Sequence, residues 1–339
     1  MEQMSEKSGI GSQKLSEKSM KMQKTIRNTG IFCKEIFRRV HYINKKMRDK
    51  DRMRTENEMM DLILNTAKGD DRIRAVYMNG SRTNPNAPKD IFQDYDIVYV
   101  VNETGSFIRD KEWIRRFGDI LFMQYPDESP DYPSDKENSY AWLMIFTDGN
   151  RLDLTVKSIP HAKENVLEDS LCEILLDKDG ILPQVPKSSE AAHFVKRPSR
   201  EQYAAVCKEF WWCLNNIAKG LWRSEVTYAQ DMLNFVVRKQ LEKMLSWKIG
   251  VLTDYSVSIG KSGKYMHKWL SEEEWEKYLD TYCSADVNVM WRSVEIMCRL
   301  FYDISKWVAE RMGFAFNKQE ADSSLKYFND VKEMIDHHS

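Results

Sequence analysis

The chain of 339 residues lacks several features that would place it in a common protein class. It contains no run of 18 or more apolar residues, so we expect neither a membrane span nor a membrane partner. Its six cysteines form no C-x-x-C pair and have no histidine cluster beside them, so no zinc site is predicted. We interpret them as free thiols of a cytoplasmic protein. The six histidines show no partner pattern that would indicate catalysis.

Most of the chain also lacks a net positive charge. Residues 1-52 contain 14 Lys and Arg against 6 Asp and Glu, whereas residues 53-339 carry a net charge of −9. A nucleic-acid groove requires clustered positive charge, so we expect no nucleic-acid partner. The acidic body instead suits a cationic small molecule. Residues 1-52 have little aliphatic content near their start and are predicted to form a basic, disordered extension.

The hydrophobic pattern predicts an α+β protein, with a mixed β-sheet domain and flanking helices followed by an all-α helical bundle. The sheet domain spans residues 53-182 and the bundle spans residues 199-339, with residues 183-198 as the linker. A capping box of Thr55 and Glu58 is expected to begin the first helix. A second helix is predicted over residues 111-122. The predicted strands are 73-78, 95-101, 141-146, 151-158 and 173-176. The predicted bundle helices are 200-222, 225-249, 271-282, 286-312 and 318-336.

One constellation of residues carries chemistry. The first predicted strand leads directly into Gly80 and Ser81, and Asp94 and Asp96 open the next strand thirteen residues later. Residues two apart on a strand point to the same face, so both carboxylates project together. Asp153 lies on a later apolar strand, on the face opposite to that of its leucine and valine neighbours.

This order of residues is typical of a site for phosphate and magnesium. Mg²⁺ prefers oxygen ligands and is usually held by a few carboxylates together with substrate phosphates. Two such ions can stabilise the attacking and leaving oxygens of an in-line displacement. Glycine permits close approach of the backbone to a phosphate, and Ser81 offers a hydroxyl and an amide donor. We therefore predict that Asp94, Asp96 and Asp153 are both catalytic and metal-binding.

At these residues the sequence resembles the nucleotidyltransferase superfamily of DNA polymerase β, whose signature is Gly-Ser, then D-x-D, then a later Asp. The stretches around Gly80-Ser81-Arg82, Asp94-Tyr95-Asp96 and Asp148-Gly149-Asn150-Arg151-Leu152-Asp153 are more closely similar to the aminoglycoside 6-adenylyltransferases. The resemblance covers about residues 53-335. It implies a five-stranded mixed sheet with helices, a helical bundle, and a cleft between them for ATP and substrate.

The resemblance also implies a reaction: AMP passes from ATP to the 6-hydroxyl of streptomycin, and pyrophosphate leaves. ATP is then the co-substrate, two Mg²⁺ ions are the cofactors, and a cationic aminoglycoside is the acceptor. The predicted nucleotide contacts are Gly80, Ser81, Arg82, Lys261 and Lys264. The predicted acceptor contacts are Glu209, Trp211, Trp212 and Asp231. The acidic loop 124-138 is predicted to be either a lid or a solvated loop.

Two alternatives stay open at this stage. The acceptor can be a different hydroxyl compound, such as spectinomycin, a lincosamide or a protein hydroxyl. The domain can instead bind nucleotide without turnover, although a degenerate module would be expected to have lost one of the three carboxylates. The sequence leaves open which carboxylate is the general base, and it gives no oligomeric state.

Overall fold

The computed structural model describes residues 52-336, so nearly all of the predicted N-terminal extension lies outside the described residues. The chain divides into two compact units, and the division falls between Ser188 and Ser189. This point lies within the predicted linker, while the bounds of the two predicted domains stay a prediction.

The first unit is built on a six-stranded mixed sheet. The strands are β1 (Ile73–Asn79), β2 (Tyr95–Val101), β3 (Ile120–Gln124), β4 (Ser139–Phe146), β5 (Arg151–Ser158) and β6 (Cys172–Asp177). Their order in the sheet is β3-β4-β5-β2-β1-β6. Only β2 and β5 pair in parallel, and the other neighbours are antiparallel. Because β2 and β5 are parallel, their first residues lie at the same edge of the sheet.

Two expectations for this unit are wrong. The predicted helix 111-122 is instead a short 3-10 turn, Trp113–Phe117, followed by β3. Gly118 has a φ of +131°, which ends the helical turn and lets the chain enter the extended conformation. Apolar residues at 113, 114 and 117 imitate a helical period, but they pack the turn into the core. The additional strand also makes the sheet six-stranded rather than five-stranded.

Helices α1 (Glu56–Gly69), α2 (Gly105–Arg109) and α3 (Ile159–Asn165) flank this sheet. The predicted capping box is confirmed: the Thr55 side chain accepts from the Glu58 amide, and the Glu58 carboxylate accepts from the Thr55 amide. The sequence Asp148-Gly149-Asn150 is typical of a hairpin turn, and it forms the turn between β4 and β5, where Gly149 has a φ of +86°. The hairpin is tied to the start of the unit, because Arg54 forms an ion pair with Asp148 at 2.6 Å.

The second unit is helical, as predicted. Its helices are α4 (Arg200–Trp222), α5 (Val226–Asp231), α6 (Arg238–Leu252), α7 (Glu272–Asp280), α8 (Val287–Met312) and α9 (Lys318–Asp336). One π-helical segment, Met232–Val237, joins α5 to α6, so the predicted helix 225-249 is interrupted. Such segments widen a helix locally. Directly after it the buried guanidinium of Arg238 donates to the Thr281 carbonyl and lies over the Tyr282 ring.

The core of the second unit is rich in aromatic side chains. Phe210 stacks on Phe301 with ring centroids 3.6 Å apart, and Trp211 meets both rings edge-on. All five cysteines of the described part of the chain are free thiols, and four of them are buried. None of the helices within residues 52-336 is long and apolar enough to cross a membrane.

Candidate active site

The site begins where β1 ends, at Gly80, which opens a 3-10 turn with a φ of +80°. The Gly80 amide donates to the Leu171 carbonyl, which fixes the turn beside β6. A Cβ atom at this position would lie 2.1 Å from the Asp96 carboxylate oxygen. Glycine is therefore required for two reasons: the backbone has a positive φ, and the Asp96 carboxylate leaves no room for a Cβ atom. The sequence analysis anticipated a close approach of phosphate here, and the structure shows a close approach of Asp96.

The paired strands bring two of the predicted carboxylates together. Asp96 on β2 is in register with Asp153 on β5, and also with Asn79 on β1. Burial, together with the negative charges of Asp153 and Asp94, raises the pKa of Asp96 to about 6. Burial also raises the pKa of Asp94. The three carboxylates are therefore close enough to repel one another, and a cation placed among them would be stabilised.

An arginine meets two of these carboxylates. Arg151 donates from Nε to one Asp153 oxygen at 2.8 Å and from Nη2 to the other at 2.6 Å. Its Nη1 lies 3.2 Å from an Asp94 oxygen. The hydrogen bonds to Asp153 raise the pKa of Arg151, so the guanidinium keeps its charge. The sequence analysis missed this role, although Arg151 precedes Asp153 by two residues on β5 and so shares its face.

Arg82 contacts neighbouring groups of the protein in this structure, and its predicted contact with ATP stays a prediction. It donates to the carbonyls of Gln93 and Asp94 at 2.9 and 3.1 Å. Its guanidinium carbon lies 3.6 Å from the centre of the Tyr95 ring. These contacts hold the 3-10 turn Gly80–Arg82 against the start of β2. Arg82 therefore sets the position of Ser81 relative to the carboxylates.

The residues present suit a hard divalent cation. Asp96 has neither a hydrogen bond nor an ion pair with any residue that the structure describes, and its side chain is half-buried. A buried carboxylate without a partner is costly unless a cation or a proton neutralises it. Among residues 52-336 no group of three or more His, Cys, Asp or Glu side chains is arranged to hold a metal ion. In this structure the guanidinium of Arg151 contacts both Asp94 and Asp153, and the role of these carboxylates as metal ligands stays a prediction.

A cavity of about 420 Å³ opens on the other side of the Gly80 turn, toward β6. Thr83 and Pro85 form the wall nearest the turn, and residues 185-188 form part of the opposite wall. Its volume is within the range of small-molecule sites. The cavity and the carboxylates thus lie on either side of Gly80-Ser81, because β6 and β2 flank β1.

The predicted acceptor residues, all in the second unit, differ in their exposure to solvent. Trp211 is 2% exposed and belongs to the core, which corrects the prediction that it contacts substrate. Trp212 is 72% exposed, because successive residues of a helix face different directions. Glu209 and Asp231 are exposed, and Glu209 accepts a hydrogen bond from the Cys213 thiol. Their role in acceptor binding stays a prediction.

The two lysines predicted to bind nucleotide lie in a tight loop of the second unit. Lys261 begins a 3-10 turn after Gly260, and the backbone amide of Lys264 donates to the carbonyl of Lys261. The Lys264 ammonium lies 5.1 Å from the centre of the Tyr265 ring. Both lysine side chains are exposed. They are therefore accessible to an anion, and their contact with nucleotide stays a prediction.

The acidic loop that was predicted as a lid or a solvated segment is anchored by several of its acids. Asp127 accepts from the Ala141 amide, and Glu128 accepts from the Tyr140 hydroxyl. Asp135 accepts from Asn138 at the end of the loop. The first two bonds hold the start of the loop against β4, the third lies within its end, and Asp131 stays exposed at its middle.

The chain is similar to known proteins along most of its length. The family model of streptomycin adenylyltransferase matches residues 53–331. The chain is 38% identical over 279 residues to an aminoglycoside 6-adenylyltransferase of Bacillus subtilis, covering 82% of this chain and 98% of the relative. It is 37% identical over 264 residues to one from Campylobacter jejuni, covering 78% and 91%. A crystal structure of an aminoglycoside 6-adenyltransferase from Bacillus subtilis is 33% identical, covering 82% of this chain and 99% of that one, with a TM-score of 0.41.

Proposed function

Because the chain belongs to the streptomycin adenylyltransferase family, and so to the nucleotidyltransferases, we propose that it transfers AMP from ATP to an aminoglycoside hydroxyl. We further propose the 6-hydroxyl of streptomycin as the acceptor group, with release of pyrophosphate. The relatives from Bacillus subtilis and Campylobacter jejuni are named for adenylylation at position 6. The family model that matches 279 residues of this chain is named for streptomycin.

The observation that carries this proposal is the meeting of three carboxylates beside a glycine-serine turn. Asp96 and Asp153 are neighbours on parallel strands, and Asp94 reaches the same guanidinium as Asp153. We propose that Asp94, Asp96 and Asp153 hold two magnesium ions. Magnesium bound there would neutralise the charge of the triphosphate and lower the pKa of the attacking hydroxyl.

The chain's own residues have separate tasks in this reaction. Ser81 offers its hydroxyl and amide to the phosphates from the turn that follows β1. The acceptor oxygen attacks the α-phosphorus in line, the bond to the bridging oxygen breaks, and pyrophosphate leaves. The hydroxyl proton passes to a carboxylate, with Asp153 as one candidate and another carboxylate as the alternative. Positioning and charge neutralisation supply most of the acceleration.

Recognition of the acceptor is proposed to depend on negative charge. Residues 53-339 carry a net charge of −9, and an acidic surface concentrates a cationic substrate. Glu209, Trp212 and Asp231 are the exposed candidates for this contact. The cavity beside Thr83 is proposed to receive part of the nucleotide that the carboxylates do not hold.

The experiment is mass spectrometry of the acceptor after incubation with purified protein, ATP and Mg²⁺. Streptomycin, spectinomycin and a lincosamide are tested separately, and Asp96→Asn is tested beside the unchanged protein. We expect streptomycin to gain the mass of one adenylyl group, and the variant to show no gain. Asp96→Asn keeps the size of the side chain, so a folded variant isolates the effect of its charge.

A gain on spectinomycin or the lincosamide alone would reject streptomycin while retaining adenylyl transfer. No gain on any acceptor, with the protein folded and binding ATP, would reject the proposed function. Nuclear magnetic resonance of the product identifies the modified hydroxyl, and a position other than 6 would contradict that part of the proposal.

A further inference from the structure

Arg151 is placed where it opposes metal binding. Its guanidinium donates one hydrogen bond to each oxygen of the Asp153 carboxylate, with nitrogen–oxygen distances of 2.8 and 2.6 Å. The third nitrogen lies 3.2 Å from Asp94. A magnesium ion held by Asp94 and Asp153 would use carboxylate oxygens that now accept from or pair with this guanidinium. The guanidinium and a shared metal ion therefore compete for the same lone pairs.

The Arg151 side chain is also able to move away from the two carboxylates. Its side chain is 41% exposed, whereas that of Asp153 is 16% exposed. An exposed arginine retains rotamers that point to solvent, and an exposed ion pair is weaker than a buried one. Asp96 does not form a hydrogen bond with Arg151. The charge of Asp96 acts on the Arg151 guanidinium only at longer range.

We propose that Arg151 is a positioning residue that acts as a replaceable counter-ion: it holds Asp94 and Asp153 together before metal binds, and a divalent cation displaces it. This inference rests on the proposed function, because it requires a metal site at these carboxylates. Arg151 thereby raises the metal concentration at which the site fills, and it prevents the carboxylates from repelling one another in the empty enzyme.

The test measures Mn²⁺ binding by electron paramagnetic resonance, with the whole protein and without nucleotide. In Arg151→Met the competing cation is absent, and we expect the dissociation constant for Mn²⁺ to fall about tenfold or more. The charge-retaining Arg151→Lys should bind with intermediate affinity, since an ammonium cannot reproduce the planar fork. Without metal, Arg151→Met should unfold at a lower temperature than wild type, and Mn²⁺ should restore it.

Arg72→Met is the matched control, because it removes the same charge from an ion pair with Asp70 in the same unit. Its Mn²⁺ affinity should stay within about twofold of wild type, since salt screens distant charges. Unchanged or weaker Mn²⁺ binding in Arg151→Met, with wild type binding Mn²⁺ and adenylylating acceptor, would overturn the inference alone. Absence of both Mn²⁺ binding and adenylylation in wild type would overturn the inference and the proposed function together.

Discussion

Replacement of Gly80 by alanine should disrupt the site through a collision with Asp96. The new Cβ atom would lie 2.1 Å from the Asp96 oxygen, and the residue would keep a φ of +80°. A positive φ costs an alanine about 1–2 kcal/mol, and an overpacked contact adds about 1–3 kcal/mol. We therefore expect Gly80→Ala to lower the free energy of unfolding by about 2–5 kcal/mol. It should also abolish adenylyl transfer, because either the turn or Asp96 must move.

Gly180→Ala separates the two contributions. Gly180 has a φ of +63° in the same unit, but a Cβ atom there would meet nothing within 4 Å. Its replacement should cost only the conformational part, about 1–2 kcal/mol. In an Asp96→Ala background the collision is absent, so Gly80→Ala should then cost no more than Gly180→Ala. Urea unfolding followed by circular dichroism measures all four variants.

Either of two results would contradict a collision between the new Cβ atom and Asp96. One is a Gly80→Ala variant that is no less stable than Gly180→Ala. The other is an excess cost of Gly80→Ala that persists after Asp96 is removed, which would place the collision elsewhere.

Two further predictions concern parts of the fold outside the carboxylates. Hydrogen bonds from Arg72 lower the pKa of Asp70 to about 2, so the stability that Asp70 contributes is present above pH 4 and lost as the pH falls through 2. Asp70→Asn should therefore lower the free energy of unfolding by about 1–2 kcal/mol at pH 7 and by less at pH 3. If urea unfolding gave the same difference between wild type and variant at both pH values, the charge of Asp70 would not be the source of the stability. Trp211→Ala should cost about 3–5 kcal/mol because it empties the core, whereas Trp212→Ala should stay within about 0.5 kcal/mol; similar shifts in the urea midpoint for the two variants would contradict the assigned burial.

The sequence predicted several elements of the fold well, because their signals are local. The capping box at Thr55, the turn at Gly149 and the alternation along β5 each need only neighbouring residues. Helices 200-222 and 318-336 have the predicted bounds, since their apolar residues repeat at helical spacing. The region 111-122 failed because three buried apolar residues fit a helix and a packed turn equally well.

The contacts of the candidate site were less accessible to sequence reasoning. The pairing of Asp96 with Asp153 depends on β2 and β5 lying side by side, although β3 and β4 separate them along the chain. Arg82 looked available for phosphate, but its guanidinium lies against Tyr95 and donates to two backbone carbonyls. Whether an arginine faces substrate or its own backbone depends on packing that a motif does not specify.

The central claim is that the carboxylates beside Gly80 use a divalent cation to transfer AMP. The most direct measurement quantifies adenylylated streptomycin and pyrophosphate in the same reaction, for wild type and Asp153→Asn, with Mg²⁺ or with a chelator. We expect equal amounts of both products for wild type with Mg²⁺. For the variant we expect at least a hundredfold loss, about 2.7 kcal/mol of activation free energy, and with the chelator neither product should form. Undiminished transfer by a folded Asp153→Asn variant, or transfer that survives chelation, would contradict it.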